Sequence, residues 1–172
     1  MRHLPRLAIV PIVAVVIFVL DQWTKGLIEA NIPLWEGFAP FPALESYFHL
    51  VHYPNTGIAF GMFPGRNSIS IVTNLLIIAG IIYFAFNLPN RNWILVLCLG
   101  LMLGGAFGNL IDRIQLGHVT DFLLFSLPLG GRVYAWPAFN IADACVVVGT
   151  ILVGIILLFQ EGKTDEGHAP AA

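Results

Sequence analysis

The sequence predicts an all-α membrane protein, folded as a bundle of four transmembrane helices in one domain of residues 1–172. The first observation is composition: 58% of the residues are hydrophobic and 10% are charged, whereas a soluble domain carries about a quarter charged residues. The second is the presence of four long apolar runs separated by segments rich in proline, glycine and asparagine. A net charge of −2 without a basic run does not favour nucleic acid as a partner.

Each apolar run is long enough to cross a bilayer. The runs cover about residues 7–28, 68–86, 93–111 and 139–159. About 20 residues at a rise of about 1.5 Å each span the hydrocarbon core. The first run follows Arg2 and Arg6, as in a signal peptide, but no small-residue cleavage site comes after Leu20. We therefore expect this run to be a retained transmembrane helix.

Four spans decide which segments share a side of the membrane. Loop one (residues 29–67) and loop three (residues 112–138) face one side, and both termini face the other. Lysine and arginine are divided equally between the two sides, so their count does not set the orientation. The first helix often dominates, and Arg2 and Arg6 before it predict cytoplasmic termini. The polar C-terminal tail, residues 161–172, is expected to be disordered.

Segment three carries a regular series of glycines. Gly100, Gly104 and Gly108 lie four residues apart, which places them on one face of a helix. Small residues on a transmembrane helix let a neighbouring helix approach closely. We therefore expect Gly100 and Gly104 to serve helix packing.

The histidines and cysteines do not have the spacing of metal ligands. His49, His52 and His118 form no metal-binding motif. Cys98 and Cys145 lie inside apolar runs, where they are expected to pack as small core residues. We therefore expect no metal ion at these residues.

Polar residues gather near one membrane face. Charges in or beside an apolar span are costly, so each needs a partner or a function. Asp21 and Lys25 lie four residues apart at the end of segment one, and Asp112 and Arg113 follow segment three. Both pairs are predicted to be ion pairs. The up-and-down topology brings to the same face Asn55, Asn109, Asp121, Asn140 and Asp143.

Asp143 is the charge with the least obvious partner. It lies about one turn inside segment four, between apolar residues and with no basic residue within a helical turn. Asp121 is the nearest candidate partner, and two carboxylates that share a proton can act as acid and base on an attacking water. Two other interpretations stay open at this point. A proton channel or small transporter would also use buried carboxylates, and in a membrane scaffold Asp143 would only bond between helices.

Five motifs in order give the sequence a family resemblance. They are Asp21-Gln22-Trp23-Thr24-Lys25, Asn55-Thr56-Gly57-Ile58-Ala59-Phe60, Gly105-Ala106-Phe107-Gly108-Asn109-Leu110-Ile111-Asp112-Arg113, Gly117-His118-Val119-Thr120-Asp121-Phe122 and Phe139-Asn140-Ile141-Ala142-Asp143. Together they resemble the lipoprotein signal peptidases, the bacterial signal peptidase II family of intramembrane aspartic proteases. The sequence departs from the family pattern at Ile58, where a small residue is common, and at Thr120, where an aliphatic one is common. Neither departure affects a carboxylate.

The resemblance implies a function and a site. Members of the family are aspartic endopeptidases that remove the signal peptide from prolipoproteins, cutting before a cysteine that carries diacylglycerol. It implies that Asp121 and Asp143 are the catalytic dyad and that the reaction needs water but no cofactor or metal. The residues that it assigns to substrate binding or to support of the site are Asn55, Gly57, Asn109, Arg113, Asn140, Asp21 and Lys25.

The resemblance also implies a cellular setting. Loop one is expected to form a small β-rich extracytoplasmic cradle, and loop three a loop or short-helix flap over the site. The enzyme is expected to be a multi-pass protein of the bacterial cytoplasmic (inner) membrane, with its active site near the extracytoplasmic face. The expected partners are lipid-modified prolipoprotein precursors and membrane lipids, and the expected state is a monomer.

Overall fold

Four helices form the body of the protein. A computed structural model describes residues 8–57, 65, 67–87 and 92–165, with side chains up to residue 159. Its helices are α1 (Ile9–Asn31), α2 (Asn67–Asn87), α3 (Trp93–Gln115) and α4 (Ile141–Asp165). All four are long and apolar enough to cross a membrane, which confirms the predicted multi-pass fold. Arg2, Arg6, Ile58 and the tail from residue 166 lie outside the described residues.

Helix α3 is the centre of the bundle. It packs against α1, α2 and α4, and 67% of its apolar span is buried, against 22%, 22% and 11% for the other three. The outward faces of those three helices are rich in exposed valine, isoleucine and leucine, as a lipid environment requires. Side chains that belong to the site are therefore held on or against the most enclosed helix.

The glycines of α3 set the distances between the helices. A Cβ atom added at Gly100 would lie 2.7 Å from Val13 Cβ, and one at Gly104 would lie 2.5 Å from the carbonyl oxygen of Ala14. Both contacts are with α1, so the predicted packing role of these glycines is confirmed. Gly105 faces α4 in the same way, because an added Cβ would meet the carbonyl oxygen of Ala142.

The two long loops combine into one small antiparallel sheet. Its strands are β1 (Gly37–Phe38), β2 (Phe48–Asn55), β3 (Val119–Leu129) and β4 (Arg132–Ala135), paired in that order. Loop one supplies β1 and β2, and loop three supplies β3 and β4. The register of β2 on β3 places Tyr53 opposite Asp121 and Asn55 opposite Val119.

The sheet differs in one respect from the expected cradle and flap. Loop three is a β-hairpin through most of its length, where a loop or short-helix flap was expected. A short 3₁₀ helix does occur, but in loop one, at Pro42–Leu44. The hairpin forms because β3 pairs with β2 on one side and β4 on the other, so its backbone groups are satisfied within the sheet.

Helices α3 and α4 extend by a turn or more beyond the apolar runs that predicted them. Helix α3 continues to Gln115, so Asp112 and Arg113 belong to its last turn instead of loop three. Helix α4 continues to Asp165, into the tail that was expected to be disordered. Polar residues can continue a helix where it leaves the hydrocarbon, because the backbone hydrogen bonds do not depend on side-chain polarity.

Candidate active site

Asn140 joins the two aspartates that the sequence singled out. Asp121 lies on β3 and is 3% exposed, whereas Asp143 lies in the first turn of α4 and is partly exposed. The side-chain amide of Asn140 donates to Asp121 Oδ1 at 2.8 Å. Its side-chain oxygen accepts from the backbone N–H of Asp143 at 2.9 Å. One residue therefore positions a carboxylate from the sheet and a carboxylate from a transmembrane helix.

Asn140 is also the N-cap of α4. Its side-chain oxygen satisfies the N–H of the third helical residue, Asp143, and Asp143 Oδ2 accepts from the backbone N–H of Asn140 at 3.4 Å. This reciprocal arrangement is a capping box, built here from asparagine and aspartate. The helix start requires Asp143 to point back over its own N-terminus, where the helix dipole also favours a negative charge.

Asp121 is surrounded by amide donors but shielded from water. Asn55 Nδ2 donates to its second oxygen, Oδ2, at 2.9 Å, while Asn55 Oδ1 accepts from the N–H of Gly57 at 2.9 Å. Burial, and next the negative charge of Asp143, raise the pKa of Asp121 to about 7. The hydrogen bonds from Asn55 and Asn140 oppose that rise without cancelling it. Asp121 can therefore hold a proton near neutral pH.

Asn109 connects Asp143 to a second buried polar cluster. Its Nδ2 donates to Asp143 Oδ1 at 2.7 Å, and its Oδ1 accepts from Lys25 Nζ at 2.9 Å. Lys25 Nζ also lies 2.7 Å from Asp21 Oδ2 and 2.6 Å from Asp112 Oδ2. The ammonium group thus pairs with two buried carboxylates and fixes the orientation of Asn109.

Asp112 has an ion-pair partner that the sequence did not indicate. Asp112 pairs with Lys25 of α1, because neighbouring residues of a helix point about 100° apart. Arg113 turns to the other side, where its guanidinium donates to the carbonyl oxygens of Asn109 at 3.2 Å and Gly57 at 3.1 Å. Arg113 therefore links helix α3 to the segment that carries Asn55 and Gly57.

Asp21 makes a second interaction that the sequence did not indicate. Besides its predicted pair with Lys25, its Oδ1 accepts from the backbone N–H of Ala142 at 3.0 Å. Asp21 thus satisfies another free N–H of the α4 N-terminus, the end that presents Asp143. Gly108 makes room for this carboxylate, because a Cβ added there would collide with Asp21 Oδ2. Gln22, present in the motif but not assigned a role, donates to Asp112 Oδ1 at 2.7 Å.

A cavity of about 380 Å³ opens beside Asp143. It lies among α2, α3, α4 and the chain that precedes α4. Its polar lining consists of Asn55, Asn74, Asn109, Arg113 and Asp143. Most of the remaining wall is apolar and includes Ile77, Ala106, Val119, Val146, Val147 and Val148. The cavity therefore combines a carboxylate and amides with a surface suited to an apolar chain.

The site contains most of the residues that the sequence assigned to it. Asn55, Gly57, Asn109, Arg113 and Asn140 contact one another or the two aspartates. Asp21 and Lys25 lie behind Asn109 and act through it and through the start of α4. Asn74 was not singled out, although a lone asparagine inside an apolar span was a signal that could have indicated it.

A family model described as signal peptidase (SPase) II matches residues 13–159. The chain belongs to the signal peptidase II family. It is similar to the lipoprotein signal peptidase of Desulfitobacterium hafniense, with 39% identity over 86% of this chain and 91% of the relative. The lipoprotein signal peptidase of Symbiobacterium thermophilum is 40% identical over 88% of this chain and 95% of the relative.

Solved structures agree with the family assignment. A bacterial membrane enzyme matches with a TM-score of 0.75 at 25% identity, covering 94% of this chain and 93% of the other. A second bacterial membrane enzyme matches with a TM-score of 0.71 at 30% identity, covering 86% and 90%. As a member of the signal peptidase II family, the protein is a membrane protease, and four helices of its described residues are long and apolar enough to cross a membrane.

Proposed function

We propose that this signal peptidase is an aspartic endopeptidase that cleaves prolipoproteins before the diacylglyceryl-modified cysteine. The observation that carries the proposal is the arrangement of Asp121 and Asp143, which share Asn140 as a hydrogen-bonding partner. Asp143 also lines an apolar cavity within the transmembrane bundle. The family membership and the relatives' name, lipoprotein signal peptidase, support the substrate class.

The proposed reaction uses the two carboxyl groups in opposite protonation states. Asp121 holds the shared proton, in keeping with a pKa of about 7. The Asp143 carboxylate accepts a proton from water as the water oxygen attacks the scissile carbonyl carbon. Asp121 then gives its proton to the leaving nitrogen of the cysteine as the C–N bond breaks. The proton taken from water remains on Asp143. Its transfer to Asp121 restores the starting protonation state of the dyad.

The proposed substrate binding follows from the two kinds of surface, apolar and polar, that line the cavity. The apolar wall of α2, α3 and α4 suits the membrane-embedded signal peptide and the lipid chains, whose burial stabilises the complex. Asn55, Gly57, Asn109, Arg113 and Asn140 hold the dyad and the cleaved bond, and Asp21 and Lys25 support them. We propose that the enzyme acts as a monomer among membrane lipids, with water as its other reactant and no cofactor or metal.

Cleavage of a synthetic lipidated precursor tests the proposal. The purified protein should shorten a precursor with diacylglyceryl cysteine and leave the same precursor with unmodified cysteine intact. Asp121→Asn and Asp143→Asn should each slow cleavage at least ~100-fold, as expected for loss of a general acid or base. The double variant should be little slower than either single variant, because the two residues act as a unit.

A nearby carboxylate provides the matched control. Glu29 accepts a hydrogen bond from Thr120, the neighbour of Asp121, but does not line the cavity. Glu29→Gln removes a charge without altering the dyad and should keep near wild-type cleavage. If a folded dyad variant retained wild-type turnover, the aspartic mechanism would be refuted and an ion-conducting function would become the better explanation.

We further propose that both termini are cytoplasmic and that the dyad lies near the extracytoplasmic face of the bacterial cytoplasmic membrane. Loops one and three expose aromatic side chains, including Trp35, Phe38 and Trp136, which suit a membrane interface. Reporter fusions after residues 45, 90, 125 and 165 should read outside, inside, outside and inside. An externally active fusion after residue 165 would contradict this orientation.

A further inference from the structure

Asn74 is a polar residue that the proposed mechanism does not use. It lies in α2, a transmembrane helix in which Ser70 and Thr73 are the other polar residues near it. Its Nδ2 atom is buried and makes no hydrogen bond in the part of the chain that the structure describes. An unpaired amide in an apolar setting is destabilising, so a protein rarely keeps one without a use for it.

Asn74 lies close to the residues of the candidate active site. Ser70, one turn earlier on α2, donates to the carbonyl oxygen of Gly57, which also accepts from Arg113. Asn74 therefore lies about 6 Å farther along the helix, at about 1.5 Å per residue, on the same face as Ser70. It lines the cavity together with Asn109 and Asp143. The terminal torsion of an asparagine side chain is broad, so the amide can turn toward a bound group.

The substrate supplies a group that needs such a donor. A peptide bond can be cleaved only where the signal peptide has left its helical conformation, which frees carbonyl oxygens of the residues before the cut. In a cavity whose wall is largely apolar these oxygens have few hydrogen-bonding partners. We infer that the Asn74 amide donates a hydrogen bond to a carbonyl oxygen of the bound precursor. This inference rests on the proposed function and adds a substrate-binding residue to it.

A carbonyl acceptor could come from two parts of the precursor. One is the peptide chain before the cut, and the other is an ester group of the diacylglyceryl anchor. The depth of Asn74 favours the peptide, because the signal peptide runs from the cleaved bond into the membrane. A precursor whose cysteine carries a dialkylglyceryl ether has no ester carbonyl and separates the two sources.

Kinetics of Asn74→Leu on both precursors test the inference. Leucine has a similar size but no donor, so the apparent KM should rise roughly 3- to 10-fold, as for one lost hydrogen bond. The kcat should stay within about twofold, because an interaction made equally with substrate and transition state changes KM alone. A KM rise on both precursors identifies the peptide carbonyl, and a rise on the ester precursor alone identifies the lipid.

A stability measurement separates ligand binding from a structural role. Asn74→Leu should leave the Tm unchanged or raise it, because it removes an unpaired buried amide. A structural Asn74 would instead give a lower Tm with kcat and KM both affected. Thr73→Val is the matched control, since Thr73 lies next to Asn74 and, among the described residues, its hydroxyl bonds only to the carbonyl of Ile69 in its own helix. This control should keep wild-type KM.

The outcomes also distinguish this inference from the proposed function. If the wild-type protein does not cleave the lipidated precursor, the proposed function fails. If it does cleave, and Asn74→Leu has the wild-type KM on both precursors, the inference about Asn74 is overturned while the function stands. Asn74→Ala gives the same readout should the leucine variant not fold.

Discussion

Asn140 holds Asp121 by a 2.8 Å hydrogen bond from its side-chain amide to Oδ1. The same side chain caps α4 through its oxygen, at 2.9 Å from the N–H of Asp143. The two contacts use different atoms, so they can be separated by substitution. The dyad geometry depends on the amide, whereas the start of the helix depends on the oxygen.

We predict that Asn140→Ala and Asn140→Ser differ from each other in stability but lose activity to a similar extent. Alanine removes the cap and should lower the free energy of unfolding by about 1 kcal/mol. Serine is a good N-cap and should keep most of that stability. Both lack the amide that positions Asp121, so both should lose roughly 10- to 100-fold in kcat, as misplaced catalytic groups do. Thermal unfolding and precursor cleavage check the two effects, and a fully active serine variant would contradict the positioning role.

The pKa of Asp121, raised to about 7 by burial and then by Asp143, predicts a pH dependence of stability. An aspartate in the unfolded chain has a pKa of about 3.9. Between these values the folded protein holds a proton that the unfolded chain has lost. The stabilisation is therefore complete below about pH 4 and is lost as the pH rises through 7. The Tm of the wild type should fall over this range more steeply than that of Asp121→Asn, and equal slopes would contradict the assignment.

The same titration of Asp121 predicts that activity falls at high pH. The dyad works only while it holds one proton, so kcat/KM should decline above about pH 7 as that proton is lost. Because the carboxyl groups interact, the apparent value belongs to the pair. Initial cleavage rates at low substrate concentration, from pH 5 to 9, measure this decline. An activity that is constant from pH 6 to 9 would exclude a shared proton in the rate-limiting step.

The sequence predicted the helices and the gathering of the polar residues because both depend on local patterns. Apolar runs of membrane length specify spans, and an up-and-down order then brings Asp121 and Asp143 to one face. The partner of Asp112 could not be predicted this way, since Lys25 lies far away in the sequence on another helix. Nor could the hairpin of loop three, because it depends on pairing with β2, which belongs to a different loop.

Gly108 should not tolerate a side chain, because its surface faces the carboxylate of Asp21. We predict that Gly108→Ala displaces Asp21 from Ala142 and Lys25, lowering both Tm and activity. Gly154→Ala is the matched control: a Cβ there meets nothing within 4 Å, and the residue is exposed on α4. That variant should be as stable as the wild type or slightly more so, because alanine favours a helix. Equal Tm values for the two variants would argue against the close contact with Asp21.

The last prediction concerns Lys25, whose ammonium contacts Asp21 and Asp112 in a buried cluster. Lys25→Met removes the cation but leaves two carboxylates in a region shielded from water. Removing one partner of a buried ion pair costs about 3–5 kcal/mol of stability, so the single variant should be strongly destabilised. Adding Asp112→Asn removes one of the two unpaired charges and should restore part of the loss. Asparagine can still accept the hydrogen bond from Gln22 that Asp112 Oδ1 accepts.

Unfolding of the wild type, the two single variants and the double variant forms a double-mutant cycle for this pair. We expect the double variant to be more stable than Lys25→Met alone, which is the signature of a buried pair and not of two independent sites. Its activity should stay low, because Asn109 has lost the Lys25 donor that fixes its hydrogen bond to Asp143. A double variant that is less stable than Lys25→Met would mean that Asp112 contributes independently of Lys25. Recovered activity together with recovered stability would mean that Asn109 does not need Lys25 to position Asp143.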